Sequence, residues 1–159
     1  MKHNIQYSLL FLIILIVGCN TGEKIERLIR QSNYVFPKGE KITSNNFTGT
    51  VWVKMMGTND SALNARFGNV TFEPMARTNW HSHPGGQILL ITEGQGYYKA
   101  QGQPARLLGK GDVVEILPNV VHWHGASPNS EFAHIAISLN TDKGGTVWLQ
   151  PVTEKEYPK

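Results

Sequence analysis

The sequence predicts an all-β fold, a single-domain jelly-roll barrel, and three observations lead there. Beyond Tyr34 the chain consists of short β-rich runs separated by glycine, proline and asparagine. Several runs, such as Ile88-Leu89-Leu90-Ile91, are apolar on both parities, which suits sheets packed face to face around an interior. No stretch after Tyr34 sustains a helical period. With 159 residues, 40% of them hydrophobic, the chain has material for one domain and a short extension.

The extension comes first. Lys2 and His3 make a polar start, Leu9 to Val17 form an unbroken apolar run, and Gly18 precedes the single cysteine. The run is short for a membrane span and reads as an export signal. Ile16-Val17-Gly18-Cys19 matches the bacterial lipoprotein cleavage box, so residues 1–18 are expected to be removed and Cys19 to become a lipidated N-terminus. That places the protein in the bacterial cell envelope, anchored to a membrane through lipid. With its one thiol so used, the mature chain has no internal disulfide and no cysteine nucleophile.

Residues 19–33 are polar, with Glu23, Lys24, Glu26, Arg27 and Arg30 set around Ile25, Leu28 and Ile29. They read as a tether holding the domain off the membrane, with a short amphipathic helix as the alternative. Removal of Lys2 with the signal lowers the formal charge from +3 to +2, with 14 basic against 12 acidic side chains. No basic cluster interleaves with aromatics, so nucleic acid is not an expected partner.

The domain is expected over residues 34–150, with residues 151–159 as a C-terminal tail. Strands are expected at Thr48 to Met56, Asn69 to Phe72, Gln87 to Thr92, Tyr97 to Ala100, Asp112 to Leu117, Val120 to His124, Glu131 to Leu139 and Val147 to Gln150. Turn signals stand between them at Gly94-Gln95-Gly96, Gly109-Lys110-Gly111-Asp112, Pro118-Asn119 and Ser127-Pro128-Asn129.

Of six histidines, five lie in two short segments and one neighbouring strand. His81 and His83 are two apart, so on a strand both imidazoles reach one face and can grip one ion. Gln87 keeps that parity across the Pro84-Gly85-Gly86 turn and can return its amide oxygen to the same centre. His122 and His124 repeat the spacing, which puts Trp80, Ser82 and Trp123 on the opposite face. On the strand after them Phe132, His134, Ala136 and Ser138 share a face whose small and polar members suit a pocket, making His134 a candidate general base or acid. His124 is read either as a second acid–base group or as support for the ligands. Arg77 and Thr78 are read as a hold for an anionic or hydroxyl group, or as an exposed strand end. Trp52, Trp80, Trp123 and Trp148 are expected in the core or on a dimer surface, with one of them a candidate pocket wall.

This arrangement resembles the cupin superfamily. Its first motif is matched by His81-Ser82-His83-Pro84-Gly85-Gly86-Gln87 with Gly94 closing it, and its second by Gly111-Asp112, Pro118 and His122. The resemblance implies a metal held by His81, His83, His122 and one oxygen ligand, here Gln87 where glutamate is more common. Asn119 replaces the usual turn glycine and tolerates the same left-handed geometry. From Thr48 to Tyr157, including Thr71-Phe72-Glu73-Pro74 and His122-Trp123-His124-Gly125-Ala126, the chain looks like small bacterial cupins related to manganese-dependent hydroxynitrile lyases. That narrower resemblance implies His134 as a catalytic histidine and Gly68, Val70 and Ser138 as pocket lining.

Three neutral imidazoles and a neutral amide leave the charge of a divalent ion uncompensated, which favours Lewis-acid chemistry on a small hydroxyl or carbonyl substrate. Manganese is the preferred ion, with iron, nickel, cobalt and zinc also compatible with imidazole ligands. A redox-neutral lyase is therefore expected. An iron-dependent cupin dioxygenase and a non-catalytic lipoprotein binding a metal or small ligand are the alternatives, and a homodimer is the expected assembly.

Overall fold

The computed structural model describes residues 21–25, 34–57 and 62–158. The export signal and Cys19 lie outside the described residues, as does most of the tether. The chain divides into two units, Met1–Val35 and Phe36–Lys159. In the first, residues 21–25 are helical and exposed. Among the described residues no helix is long and apolar enough to cross a membrane.

Among its described residues the second unit has twelve strands: β1 (Glu40–Lys41), β2 (Phe47–Thr48), β3 (Val51–Met55), β4 (Ala65–Phe72), β5 (Arg77–Thr78), β6 (His81–Ser82), β7 (Gln87–Ala100), β8 (Arg106–Gly109), β9 (Val113–Ile116), β10 (His122–Ala126), β11 (Phe132–Leu139) and β12 (Val147–Trp148). All their pairings are antiparallel. One sheet runs β1-β3-β4-β11-β7-β9, and the other places β7 between β8 and β10, with β5 and β6 on β10's far side, β2 on β5 and β12 on β6. The sheets close on each other as the expected jelly roll.

The strand shared by the two sheets corrects the sequence reading, which put a turn at Gly94-Gln95-Gly96 and split β7 in two. The chain instead runs through these residues as one strand. Its first half pairs with β9 and β11, and from Gln95 onward it pairs with β8 and β10. The glycines serve the crossing. Gly94 has φ of +69°, and a Cβ there would lie 1.8 Å from the Glu131 carbonyl oxygen. At Gly96 a Cβ would meet the Phe132 ring at 2.5 Å. Glycine in a strand marks a sharp bend or a close approach as well as a turn. Strand β8 also escaped the sequence reading, because of its four residues only Leu108 is buried.

Between the sheets lies a core of Val51, Phe72, Leu89, Ile91, Leu108, Val114, Ile116 and Phe132, with Ala76 and Ala126. The inward rows follow strand parity as predicted: Phe72, Val70 and Gly68 on β4 stand opposite Phe132, His134 and Ala136 on β11. A second cluster, Trp80, Trp123, Val152 and Tyr157, sits on the other face of β10. Here the segment after Gln150 packs down, with Val152 and Tyr157 buried and the Tyr157 hydroxyl donating to the Ala126 carbonyl at 2.7 Å.

Arg77 belongs to this second cluster and is neither an anion hold nor an exposed strand end. Only 3% exposed, it donates to the Val152 carbonyl at 3.2 Å, pairs with Glu154 at 2.5 Å and stacks on the Tyr157 ring at 4.6 Å. A buried guanidinium needs such partners, and the C-terminal segment supplies them.

Candidate metal centre

The histidines gather in the barrel interior, where His124 and His134 pack against the core residues Phe72 and Phe132. His81 on β6 is paired in register with His122 on β10, which brings their rings to 4.2 Å between centroids. The two-residue step from His81 carries His83 to the same side. The turn after it, with Gly86 at φ +86°, returns the chain so that Gln87 opens β7 beside them. A Cβ at Gly85 would overlap the Leu139 carbonyl oxygen at 1.8 Å, so this turn fits only without a side chain.

One ring nitrogen from each of His81, His83 and His122 lies within 4.8 Å of the others, and all three residues are buried. Hydrogen bonds fix two of the rings. His81 Nδ1–H donates to the Asn79 carbonyl and His122 Nδ1–H to the Val120 carbonyl, both at 2.9 Å, which leaves each Nε2 with a free lone pair. His83 Nε2 is buried with no hydrogen-bond partner among the described residues, and the Thr146 hydroxyl lies 3.5 Å from its Nδ1. The Gln87 amide oxygen is 3.3 Å from His122 Nε2. With the His122 proton on Nδ1, both of these atoms are acceptors, and two buried acceptors that close call for a cation between their lone pairs.

Electrostatics agree. Burial pulls the His83 and His122 imidazoles down to about 4. His81 lies well below its ordinary value through burial and then the neighbouring His122. All three are therefore neutral near pH 7 and fit for ligation. The residues fit a divalent metal ion: three neutral nitrogens, one amide oxygen and unpartnered atoms facing one point.

His124 stands outside the triad. Its ring lies 5.3 Å from that of His81 and 4.7 Å from that of His134, and its Nδ1 has no partner among the described residues. His134 is fully buried against Phe72, 5.7 Å away and stacked, and against Phe132 at 5.3 Å. Neither of its nitrogens has a partner among the described residues, and burial pulls it down to about 3. The five histidines thus form one chain of contacts from the triad inward.

Around them, Ser138 lines a cavity of about 180 Å³ shared with Arg66, His83, Gly85, Leu139, Thr141, Gly144, Gly145 and Thr146. Val70 and Gly68 lie on the same inner face, and the Met55 sulfur would stand 3.1 Å from a Cβ at Gly68, so Met55 occupies the space that glycine leaves. Trp148, paired in register with His81, covers that ring at 4.8 Å. Trp80 and Trp123 face away, as their parity predicts. Arg66, Met55, Thr141 and Thr146 escaped the sequence reading. For Arg66 the strand parity carried the signal, two residues before Gly68 and four before Val70.

Over 77% of this chain and 93% of that one, the crystal structure of a cupin-like protein from Thermotoga maritima matches at 56% sequence identity with a TM-score of 0.75. The chain belongs to the cupin superfamily. A curated relative, the (R)-mandelonitrile lyase of Granulicella tundricola, is 42% identical to this cupin over 112 residues, spanning 70% of the chain and 85% of the relative. Residues 73–151 match the family model described as an AraC-like ligand binding domain. A predicted oxalate decarboxylase from Thermotoga maritima shares the fold at 20% identity, with a TM-score of 0.58 over 75% of this chain and 96% of that one. The histidine triad of this cupin is thus a site suited to a metal ion, carried on a metal-binding fold.

Proposed function

We propose that this cupin is a metal-dependent, redox-neutral lyase that cleaves or forms a bond beside a hydroxyl or carbonyl carbon, with a cyanohydrin as its model substrate. The observation carrying this reading is His134, a buried imidazole with both nitrogens unpartnered among the described residues, one ring away from a neutral three-histidine, one-amide site. The 42% identity to a mandelonitrile lyase supports it.

His81, His83, His122 and Gln87 would hold the ion, for which manganese is the preferred choice. When bound, a divalent ion supplies Lewis acidity toward a substrate oxygen, undiminished by any anionic ligand. The chain's own groups do the rest. Phe72, Phe132 and Val70 surround His134 with apolar groups and keep bulk water from it. His134, neutral because of its burial, accepts the hydroxyl proton of a cyanohydrin as the C–C bond to cyanide breaks. An imidazole held this far down binds that proton weakly and passes it to the departing cyanide, leaving an aldehyde and hydrogen cyanide. His124, in edge contact with His134, orients it.

The test is cleavage of mandelonitrile by purified protein reconstituted in turn with manganese, iron, cobalt, nickel and zinc. Metal-dependent release of benzaldehyde that chelation abolishes is the expected result. No release above that of the metal-free protein would end the lyase reading. The match to a ligand-binding family model favours a second reading, non-catalytic capture of a small ligand. It predicts retention of a bound compound through purification and no turnover.

We also propose export and lipid anchoring at Cys19 in the bacterial envelope, and a homodimer. Cys19→Ser should move the protein from the membrane fraction to the soluble one, and light scattering on the soluble form should give twice the chain mass.

A further inference from the structure

His81, His83 and His122 are not held alike. The backbone carbonyl two residues earlier accepts from the Nδ1–H of His81 and of His122, so those two rings keep their orientation whatever side chains surround them. His83 has no such carbonyl among the described residues. Its own backbone is fixed, because its carbonyl accepts from the Gly86 amide at 3.1 Å and the Asn119 amide at 2.9 Å, yet neither bond reaches the ring. Among the described residues the one polar group that does is the Thr146 hydroxyl, 3.5 Å from Nδ1.

Thr146 stands there by strand register. Strands β12 and β6 pair antiparallel, Val147 opposite Ser82 and Trp148 opposite His81, and the ladder carries on past Trp148 through the Leu149 amide to the Trp80 carbonyl at 2.8 Å. One step the other way, the same register sets Thr146 opposite His83. Side chains alternate along a strand, so Thr146 and Trp148 share a face and meet His83 and His81 in turn, while Val147 is exposed. The indole covers one ring at 4.8 Å and the hydroxyl reaches the other. Gly144, at φ +126°, leads the chain in, and a Cβ there would lie 3.4 Å from Pro84, the neighbour of His83. The Asn140 amide ties the start of the segment to the Gly85 carbonyl at 3.0 Å, and Asn64 Oδ1 accepts from the Thr141 hydroxyl and the Asp142 amide. Thr146 is thus fixed from both sides, as a group that orients another must be.

We propose that Thr146 is a positioning residue of the metal centre: its hydroxyl accepts the Nδ1–H of His83 and so keeps the Nε2 lone pair of that ring available to the ion. The need is chemical. A histidine side chain with no partner at Nδ1 favours the tautomer with its proton on Nε2, and in His83 that is the buried, otherwise unpartnered nitrogen that ligation requires. Ligation at Nε2 makes the remaining N–H a better donor, which draws the long 3.5 Å contact closer. This role rests on the metal centre and not on the lyase chemistry proposed for it.

The test pairs Thr146→Val, which keeps the shape and loses the hydroxyl, with Thr146→Ser, which keeps the hydroxyl. Manganese affinity, read without substrate by competition with a chelator, should fall about 10- to 100-fold in Thr146→Val, the usual effect of removing such a partner, and stay near wild type in Thr146→Ser. In metal-free protein at neutral pH, long-range proton–nitrogen correlation spectra should place the His83 proton on Nδ1 in wild type and Thr146→Ser, and on Nε2 in Thr146→Val. The His83 signals are assigned by their absence from His83→Ala. Unchanged affinity in Thr146→Val, an equal loss in both variants, or a wild-type His83 protonated on Nε2 would overturn the role. Mandelonitrile cleavage on the same preparations reads the lyase separately. Manganese binding that depends on the Thr146 hydroxyl, without cleavage, defeats the lyase alone, and cleavage without that dependence defeats the positioning role alone.

Discussion

The ring of His134 meets that of His124 edge-on, 4.7 Å between centroids and 90° between planes, and neither nitrogen of His134 finds a hydrogen-bond partner among the described residues. A buried imidazole always carries at least one N–H, and leaving it unpaired costs about 1–3 kcal/mol. A core selected for stability alone would place phenylalanine here, between Phe72 and Phe132. On the proposed reading, the hydroxyl of the substrate completes it.

His134→Ala should therefore lower metal-dependent cyanohydrin cleavage by about 10²- to 10⁴-fold, the usual contribution of a positioned proton acceptor. Metal content, measured by elemental analysis, should stay at the wild-type level, since His134 lies outside the triad. Loss of both together would make His134 a structural residue of the metal site.

Gln87→Glu tests the neutral ligand set. A carboxylate beside His122 Nε2, where the amide oxygen now lies at 3.3 Å, adds a negative charge to the site. Competition with a chelator should show tighter metal retention, and the cleavage rate should fall because the added charge offsets the ion's Lewis acidity. A rate equal to that of wild type would show that ligand charge has no part in the chemistry.

The histidines make stability depend on acidity in one direction. His83 and His122 are held at about 4 and His134 at about 3, each chiefly by burial, whereas an unfolded histidine titrates at 6.5. As the pH drops below 6.5 the unfolded chain takes up protons that the folded chain refuses. Stability is complete above that value and falls toward pH 4, by about 1.4 kcal/mol per pH unit for each such group. Denaturant midpoints of the metal-free protein should decline steadily between about pH 7 and about pH 5. A flat profile would mean that the buried rings are hydrated or already charged.

The C-terminal segment is a structural strap. Tyr157→Phe removes the 2.7 Å bond to Ala126 and should cost about 1 kcal/mol. Deleting residues 151–159 uncovers Trp80 and Trp123 and strips Arg77 of Val152 and Glu154, so it should cost several-fold more. A thermal melt that locates both variants at the wild-type midpoint would show that the strap bears no load.

Much of the site was legible because its geometry is local. His81 and His83 share a face by strand parity, and Gln87 follows across a turn whose glycines admit only one tight path. The left-handed Asn119, at φ +63°, was equally visible in the Pro118-Asn119 pair. The strand count was harder. Gly94 and Gly96 carry the same signal for a turn as for a bend, and only the approach of Glu131 and Phe132 tells them apart. Arg77 looked like a surface group because its partners, Val152, Glu154 and Tyr157, are more than seventy positions away.

The sequence alone determined the fold class, the parity of the strands that carry the histidines and the set of histidines, since periodicity and turn chemistry act over a few residues and need no distant partner. Tertiary structure decided the rest. It drew the ring nitrogens of His81, His83 and His122 to within 4.8 Å of one another, left both nitrogens of His134 without a partner among the described residues, drew Trp148 over His81, and put Arg66 in one row with Ser138 and Gln87. Each of these depends on the register between strands far apart in the chain, which is set by how two sheets close on a shared core.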